Sequence, residues 1–170
     1  MRLSTRSRYG LRAAIMIARR PEAFTTSERI AAEQEVSKKY LDAILGDLRE
    51  VGILEAVRGV KGGYALARSP DEISAADVVE ALEGTIALVP CVEKASRCTR
   101  SPRCPARTAW RMASQAVRGV LSGLTLADLA SGVPGGRRNG SGGSKRRPRR
   151  PSPPSAPIPG RGGKKVAERI

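Results

Sequence analysis

The chain has 170 residues, a formal net charge of +15, three cysteines and no histidine. Without imidazole the commonest general base is missing, and no apolar run approaches the roughly 18 residues of a membrane span, so composition argues against an enzyme and a membrane-spanning protein. The cations are unevenly spread, with 20 Lys+Arg against 15 Asp+Glu in residues 1–131 and 11 against one in 132–170, which points to a polyanionic partner, nucleic acid before an acidic membrane.

Residues 4–20 read as a helix: Ser4 or Thr5 can cap it, Leu11, Ala14, Ile15 and Ala18 follow a helical period, and Pro21 ends it. This opening lacks a sustained apolar run before a small-residue cleavage site, so no secretory signal is read there and a cytoplasmic protein is expected. Thr25 and Glu28 suggest a capping box for a short helix over about 26–33. After a break near Glu35–Val36, Ser37 can cap a longer helix over about 38–51, with Leu41, Ile44, Leu45 and Leu48 as its buried stripe and Gly52 as its stop. A short helix, a tight turn and a longer helix make the helix-turn-helix pattern. The start of the second helix is Ser37, Lys38, Lys39 and Tyr40, hydrogen-bonding and cationic at the end that enters a major groove, with Asp42 and Ala43 outward on the next turn.

Two short β-like runs, 53–58 and 64–67, flank Gly59, Gly62 and Gly63. Glycines permit the turn, and a hairpin with Arg58 and Lys61 at its tip, placed after a helix-turn-helix, is the wing of a winged helix. Arg58 is expected to read a minor groove, whose negative potential favours guanidinium, with Lys61 and Gly62 placing the wing and Arg6 and Arg8 on phosphate. Residues 74–83 form a further helix with Ser74 and Asp77 at its start. Residues 105–124 read as a long helix on which Trp110, Ala113, Val117, Val120 and Leu124 make a heptad seam, and 125–131 as a last short helical piece. The fold class is mainly α with a small β-hairpin wing: a winged helix-turn-helix with a long C-terminal dimerisation helix. Residues 132–170, rich in Gly, Pro, Ser and Arg, are expected to be a disordered basic tail that adds DNA affinity without sequence choice, or only solubility.

Between the helix at 74–83 and the long helix lie Cys91, Cys98 and Cys104, the chain's only cysteines. In a cytoplasmic protein such a cluster is metal-binding or redox-active rather than a disulfide staple. Gaps of six and five residues are wide for a zinc knuckle, but they suit a loop wrapped around a larger iron–sulfur cluster. A metal-free thiol switch, a structural zinc and incidental cysteines are the competing readings. Lys94, Arg97, Arg100, Arg103 and Arg107 stand against the single acid Glu93 and would offset the charge of thiolates and a thiolate-bound cluster.

The stretches "MRLSTRSRYGLRA", "VSKKYL" and "VRGVKGGYALAR", the three-cysteine loop, the Trp-bearing helix and "TLADLA", in this order, resemble the Rrf2 family of bacterial transcription regulators over about residues 1–131. The resemblance implies a homodimer of winged helices, joined by antiparallel long helices, on a palindromic double-stranded DNA operator. It implies a regulator, expected to be a repressor, whose Cys91, Cys98 and Cys104 hold a 2Fe–2S or 4Fe–4S cluster that senses iron, redox state or nitric oxide. Members without the cysteines sense by contact with a partner protein. Some cluster-binding members take a fourth ligand from a histidine three residues after the third cysteine, and others from an acid near the start of the first helix. Here those positions are Arg107 and Arg8, which leaves Glu93, Ser96, Thr99, a partner oxygen, a small thiol or water for that place. Glu35 stands where the turn between the two helices commonly carries Gly.

Deleting residues 132–170 is expected to flatten the dependence of log affinity on log salt, by about 0.9 for each phosphate that the tail no longer neutralises, and to leave operator preference intact. Fluorescence binding at several salt concentrations measures both. A collapse of operator preference would instead make the tail a specificity element.

Overall fold

In the computed structural model, which describes residues 3–21, 23–59 and 62–132, Ser4 caps the first helix, α1 (Thr5–Ala18), its hydroxyl oxygen accepting from the Ser7 N–H. The expectations for Lys61 and for the tail beyond residue 132 lie outside the described residues. α2 (Ser27–Gln34) is capped by Thr26, which accepts from the Arg29 N–H at 3.3 Å, rather than by Thr25. Both threonines can cap; tertiary pairing takes the first. Thr25 and Tyr64 exchange backbone hydrogen bonds of 2.8 and 2.9 Å, so the Thr25 segment adds a bridge to the hairpin. α3 (Lys38–Glu50) begins at Ser37, as its side chain predicts, with the hydroxyl oxygen accepting from the Tyr40 N–H.

Between α2 and α3 the chain turns on Glu35, which sits in the left-handed region at φ 54° and ψ 43°. The hairpin follows, β1 (Leu54–Val57) against β2 (Gly63–Leu66), antiparallel in the register Leu54↔Leu66 to Val57↔Gly63. A short 3₁₀ turn at Pro70–Glu72 leads to α4 (Ala75–Glu83), then α5 (Pro90–Glu93), α6 (Pro105–Ser122) and α7 (Leu126–Ser131). The starts of α4 and α7 are side-by-side capping boxes. Ser74 pairs with Asp77 and Thr125 with Asp128, while two 2.8 Å backbone bonds, Ala75 N–H to Leu124 and Leu126 N–H to Ile73, join the two helix starts.

α1 is the centre of the fold and packs against α2, α3, α4, α7 and β2. The core it organises includes Ile17, Ile30, Leu41, Ile44, Leu45, Leu48, Leu54, Ile73, Val78 and Leu126. Gly10 permits the closest approach: a Cβ there would meet Leu82 Cδ1 at 2.2 Å and Ile44 Cγ2 at 3.2 Å. At the other end of the α1–α4 contact, the Glu83 carboxylate accepts from the Ser4 N–H at 2.9 Å and from the Ser4 hydroxyl. Partial burial raises the pKa of that carboxyl, but the Ser4 and Ser7 hydrogen bonds and the Arg6 charge outweigh it and hold the group below its ordinary value.

Among the described residues α6 lies against the domain by one narrow side. Ser114 accepts from the Leu88 N–H at 3.0 Å and donates to the Trp110 carbonyl. Arg118 grips Glu80 of α4 with two hydrogen bonds of 2.8 and 3.0 Å. Leu121 packs on Ala76, Val79 and Ile86. The neighbouring flank, where the heptad seam is expected, is bare: Trp110 is 47% exposed, Val117 39% and Val120 66%.

Glu35→Gly is expected to raise unfolding free energy by about 0.5–1 kcal/mol. Relief of the left-handed penalty, about 1–2 kcal/mol, exceeds the added entropy of an unfolded glycine. Urea denaturation of both proteins checks this, and Glu35→Val should change stability in the opposite direction.

Candidate nucleic-acid interface and cysteine loop

The side chains predicted to read DNA come from three elements. Lys38, Lys39 and Tyr40 are exposed on the first turn of α3, beside the cap Ser37. Arg58 is exposed immediately after β1. Gly62 is buried within the hairpin turn, its N–H donating to the Gly59 carbonyl at 2.9 Å, and a Cβ there would meet the Val57 carbonyl oxygen at 2.0 Å, so only glycine fits. Arg8 is exposed on α1.

Two of the predicted cations have protein partners that periodicity does not reveal. Lys38 Nζ is 2.8 Å from Asp42 Oδ2 and 3.4 Å from Glu28 Oε1, which joins the two helices of the helix-turn-helix. The Asp42 hydrogen bond, with help from Glu28, raises the Lys38 pKa above its ordinary value. Arg6 pairs with Asp47 of α3. Either cation exchanges a carboxylate for phosphate if it moves onto DNA, a near-balanced trade for exposed groups. Tyr9 of α1 is the residue that sequence reasoning missed. Its ring meets the Tyr40 ring edge-on, centroids 6.2 Å apart, and Arg12 lies 5.7 Å from its centre. The signal was only the spacing of Tyr9 and Arg12 on one face of α1, three residues apart.

The cysteines occupy three successive turns of one loop. Cys91 is in α5, Cys98 ends the 3₁₀ turn Ala95–Arg97, and Cys104 follows the turn Ser101–Arg103 at the cap position of α6. All three are free and partly buried. Among the described residues no three His, Cys, Asp or Glu side chains are grouped to hold a metal ion, so the loop collects the thiols without closing them into a ligand set. Two contacts brace it. Arg107 Nε donates to the Cys91 carbonyl at 3.0 Å, tying α5 to α6. Arg97 pairs with Glu93 at 2.7 Å, which engages the loop's only acid.

The donor set fits a group that takes soft ligands: three thiols, no disulfide and a surplus of cations. Ser101, between Cys98 and Cys104, is 3% exposed and its hydroxyl has no hydrogen-bond partner. Beside it, Thr99, Arg100, Pro102, Arg103, Cys104 and Pro105 line an open cavity of about 590 Å³. An orphaned buried hydroxyl is rare in a finished interior.

The family profile for Rrf2, described as iron-dependent transcriptional regulators, matches residues 3–132. Protein rrf2 of Nitratidesulfovibrio vulgaris is 41% identical over 130 residues, covering 76% of this chain and 87% of that protein. The solved structure of CymR, the global cysteine regulator of Bacillus subtilis, is similar with a TM-score of 0.67 at 36% identity, over 78% of this chain and 98% of that one. That of T. potens IscR is similar with a TM-score of 0.64 at 27% identity, over 84% and 94%.

Ser101→Ala is expected to raise the stability of metal-free protein by about 1 kcal/mol, because it removes a buried polar group with nothing to bond. Chemical denaturation measures it. A loss of stability of that size would show that the hydroxyl has a partner in solution.

Proposed function

The chain belongs to the Rrf2 family and is a DNA-binding transcriptional regulator, not an enzyme; on that premise we propose that it acts in the cytoplasm as a homodimeric repressor on a palindromic operator, governed by an iron–sulfur cluster on Cys91, Cys98 and Cys104. The observation that carries the reading is positional. All three cysteines lie in the loop whose last residue, Cys104, is the cap residue of α6. The family's description as iron-dependent supports iron there.

Bound in the loop, a cluster would supply an occupancy that iron supply, oxidants and nitric oxide change. The protein's part is mechanical. Cys104 begins α6, Arg107 ties that first turn to Cys91, and Ser114 and Arg118 fasten α6 to the α4 side of the domain. A change in the loop therefore acts on α6, whose bare flank of Trp110, Val117 and Val120 is the proposed seam with a second copy. The seam sets the separation of the two α3 helices, which must be about 34–36 Å to read successive major grooves. Coupling of about 1–3 kcal/mol is the usual scale for such a link. At the operator, Ser37, Lys38, Lys39 and Tyr40 take the major groove and Arg58 the minor groove. Lys61 and Gly62 shape the wing, and Arg6 and Arg8 take phosphate. The tail from residue 132 adds charge-driven affinity.

A specific observation favours a second reading. The thiols are free, partly buried and confined to one loop, where two of them can pair if the loop closes, and the similar solved structure of CymR is that of a cysteine regulator. Protein purified without oxygen separates the two. Visible absorbance with matched iron and sulfide, lost in Cys98→Ser, supports the cluster. Colourless protein that binds DNA, gains no iron on reconstitution and, on addition of peroxide, forms a disulfide that a dithiol reduces again supports the switch.

Arg58→Ala is expected to weaken operator binding by about 1–3 kcal/mol at physiological salt. Unchanged affinity in a fluorescence titration would remove Arg58 from the interface.

A further inference from the structure

On the side of the helix-turn-helix formed by α1, α2 and α7 is a second cavity, of about 350 Å³, remote in sequence from the cysteines. α1 contributes Arg12 and Ile15 to its wall and its C-cap residue Arg19, α2 Glu33 and Gln34, and α7 Leu129. A smaller hollow of about 150 Å³ shares Arg19 and Glu33 with it and adds Arg20 and Arg29. Four arginines thus line the two hollows, and Glu33 is the one acid among the lining residues. None of the four takes part in an ion pair among the described residues.

Gln34 is the informative residue. It is only 7% exposed, and its Oε1 is buried without a hydrogen-bond partner. A buried amide oxygen left empty is unfavourable, and an external donor would satisfy it. The cavity wall therefore offers carboxylate-binding forks, the Gln34 amide, whose orphaned oxygen is covered as the side chain stands and reaches the cavity when the amide rotates, a nearby carboxylate and an apolar patch of Ile15 and Leu129.

We propose that this cavity binds a small organic acid that carries a hydrogen-bond donor beside its carboxylate, of the amino-acid or hydroxy-acid kind. The planar guanidinium of Arg19 or Arg12 matches the carboxylate. Once the Gln34 amide turns toward the cavity, the amino or hydroxyl group donates to its Oε1, with Glu33 favouring an ammonium. Ile15 and Leu129 cover a short aliphatic chain, and the volume lies within the range of small-ligand pockets.

Arg12 links the cavity to the DNA-reading helix. Besides lining the cavity, its guanidinium lies over the Tyr9 ring, which meets Tyr40 edge-on. A carboxylate that draws Arg12 aside weakens the cation–π contact and alters the support of Tyr40 at the start of α3. The binding site is independent of the reading proposed above; its effect on DNA rests on that reading.

Saturation-transfer NMR on the full chain, without DNA, tests the site with L-leucine, 2-hydroxy-4-methylpentanoate and isopentylamine. The two acids should bind saturably at about millimolar concentration or tighter, the amine should not, and Arg19→Gln should weaken both acids by about tenfold or more. Arg19 is exposed, so the variant keeps its core, and Gln34→Met gives a second variant expected to lose acid binding. Absence of saturable acid binding below about 10 mM, equal binding of the amine, or unchanged binding in both variants would overturn the site. With operator present, L-leucine should shift wild-type affinity by about fivefold or more, and Tyr9→Leu should lose the shift while still binding leucine. An operator affinity indifferent to leucine would overturn the coupling. Failure to bind any duplex would overturn the regulator reading, while the DNA-free titration decides the cavity by itself.

Discussion

The fold depends on how closely α1 is held by its neighbours. At Gly10 the helix comes so near α4 and α3 that Leu82 and Ile44 occupy the place of a side chain. That approach lets one amphipathic helix bury Ala13, Ala14 and Ile17 against elements from both ends of the domain. It also places Tyr9 against Tyr40 and Arg6 against Asp47, so α1 braces α3, the helix proposed to read DNA. α3 has little freedom of its own: Leu41, Ile44, Leu45 and Leu48 are fully buried, and what it presents outward follows from where α1 sits.

What was legible in the sequence was what local chemistry decides. Ser37 caps α3 because a hydroxyl at that place has an N–H three residues on to accept from. The leucines and isoleucine of its stripe follow helical spacing, and Gly59, Gly62 and Gly63 mark the hairpin. Glu35 was readable as an oddity and proved to be the left-handed residue of the turn. What stayed hidden depends on tertiary partners. Thr25 looked like a cap until β2 claimed its backbone. Lys38 and Arg6 looked like free cations, yet Asp42 with Glu28 and Asp47 hold them. The turns at 95–97 and 101–103 carry no periodicity, so the placement of the cysteines along the loop could not be derived from pattern.

The cysteine loop and α6 are directly joined. The helix begins at a cysteine, is stitched to the loop by Arg107 and touches its own domain along Ser114, Arg118 and Leu121. A helix held so narrowly, with a bare apolar flank, is well placed to move when its first turn is pulled. The orphaned Ser101 hydroxyl and the unclosed thiols lie where such a pull would start. The α1–α2–α7 cavity has a lining separate from that of the cysteine loop, so in the proposed scheme two inputs of different chemistry reach α3 by separate routes, one through α6 and one through Arg12 and Tyr9.

The central claim is that the state of the cysteine loop governs DNA binding. Its most direct test is operator affinity at one fixed salt concentration, measured on a single preparation before and after the loop is stripped of metal and reduced. A change of about 5–150-fold between the two states, abolished in Cys98→Ser, is the predicted result. Equal affinity in both states would contradict the account and leave the three cysteines without a regulatory role.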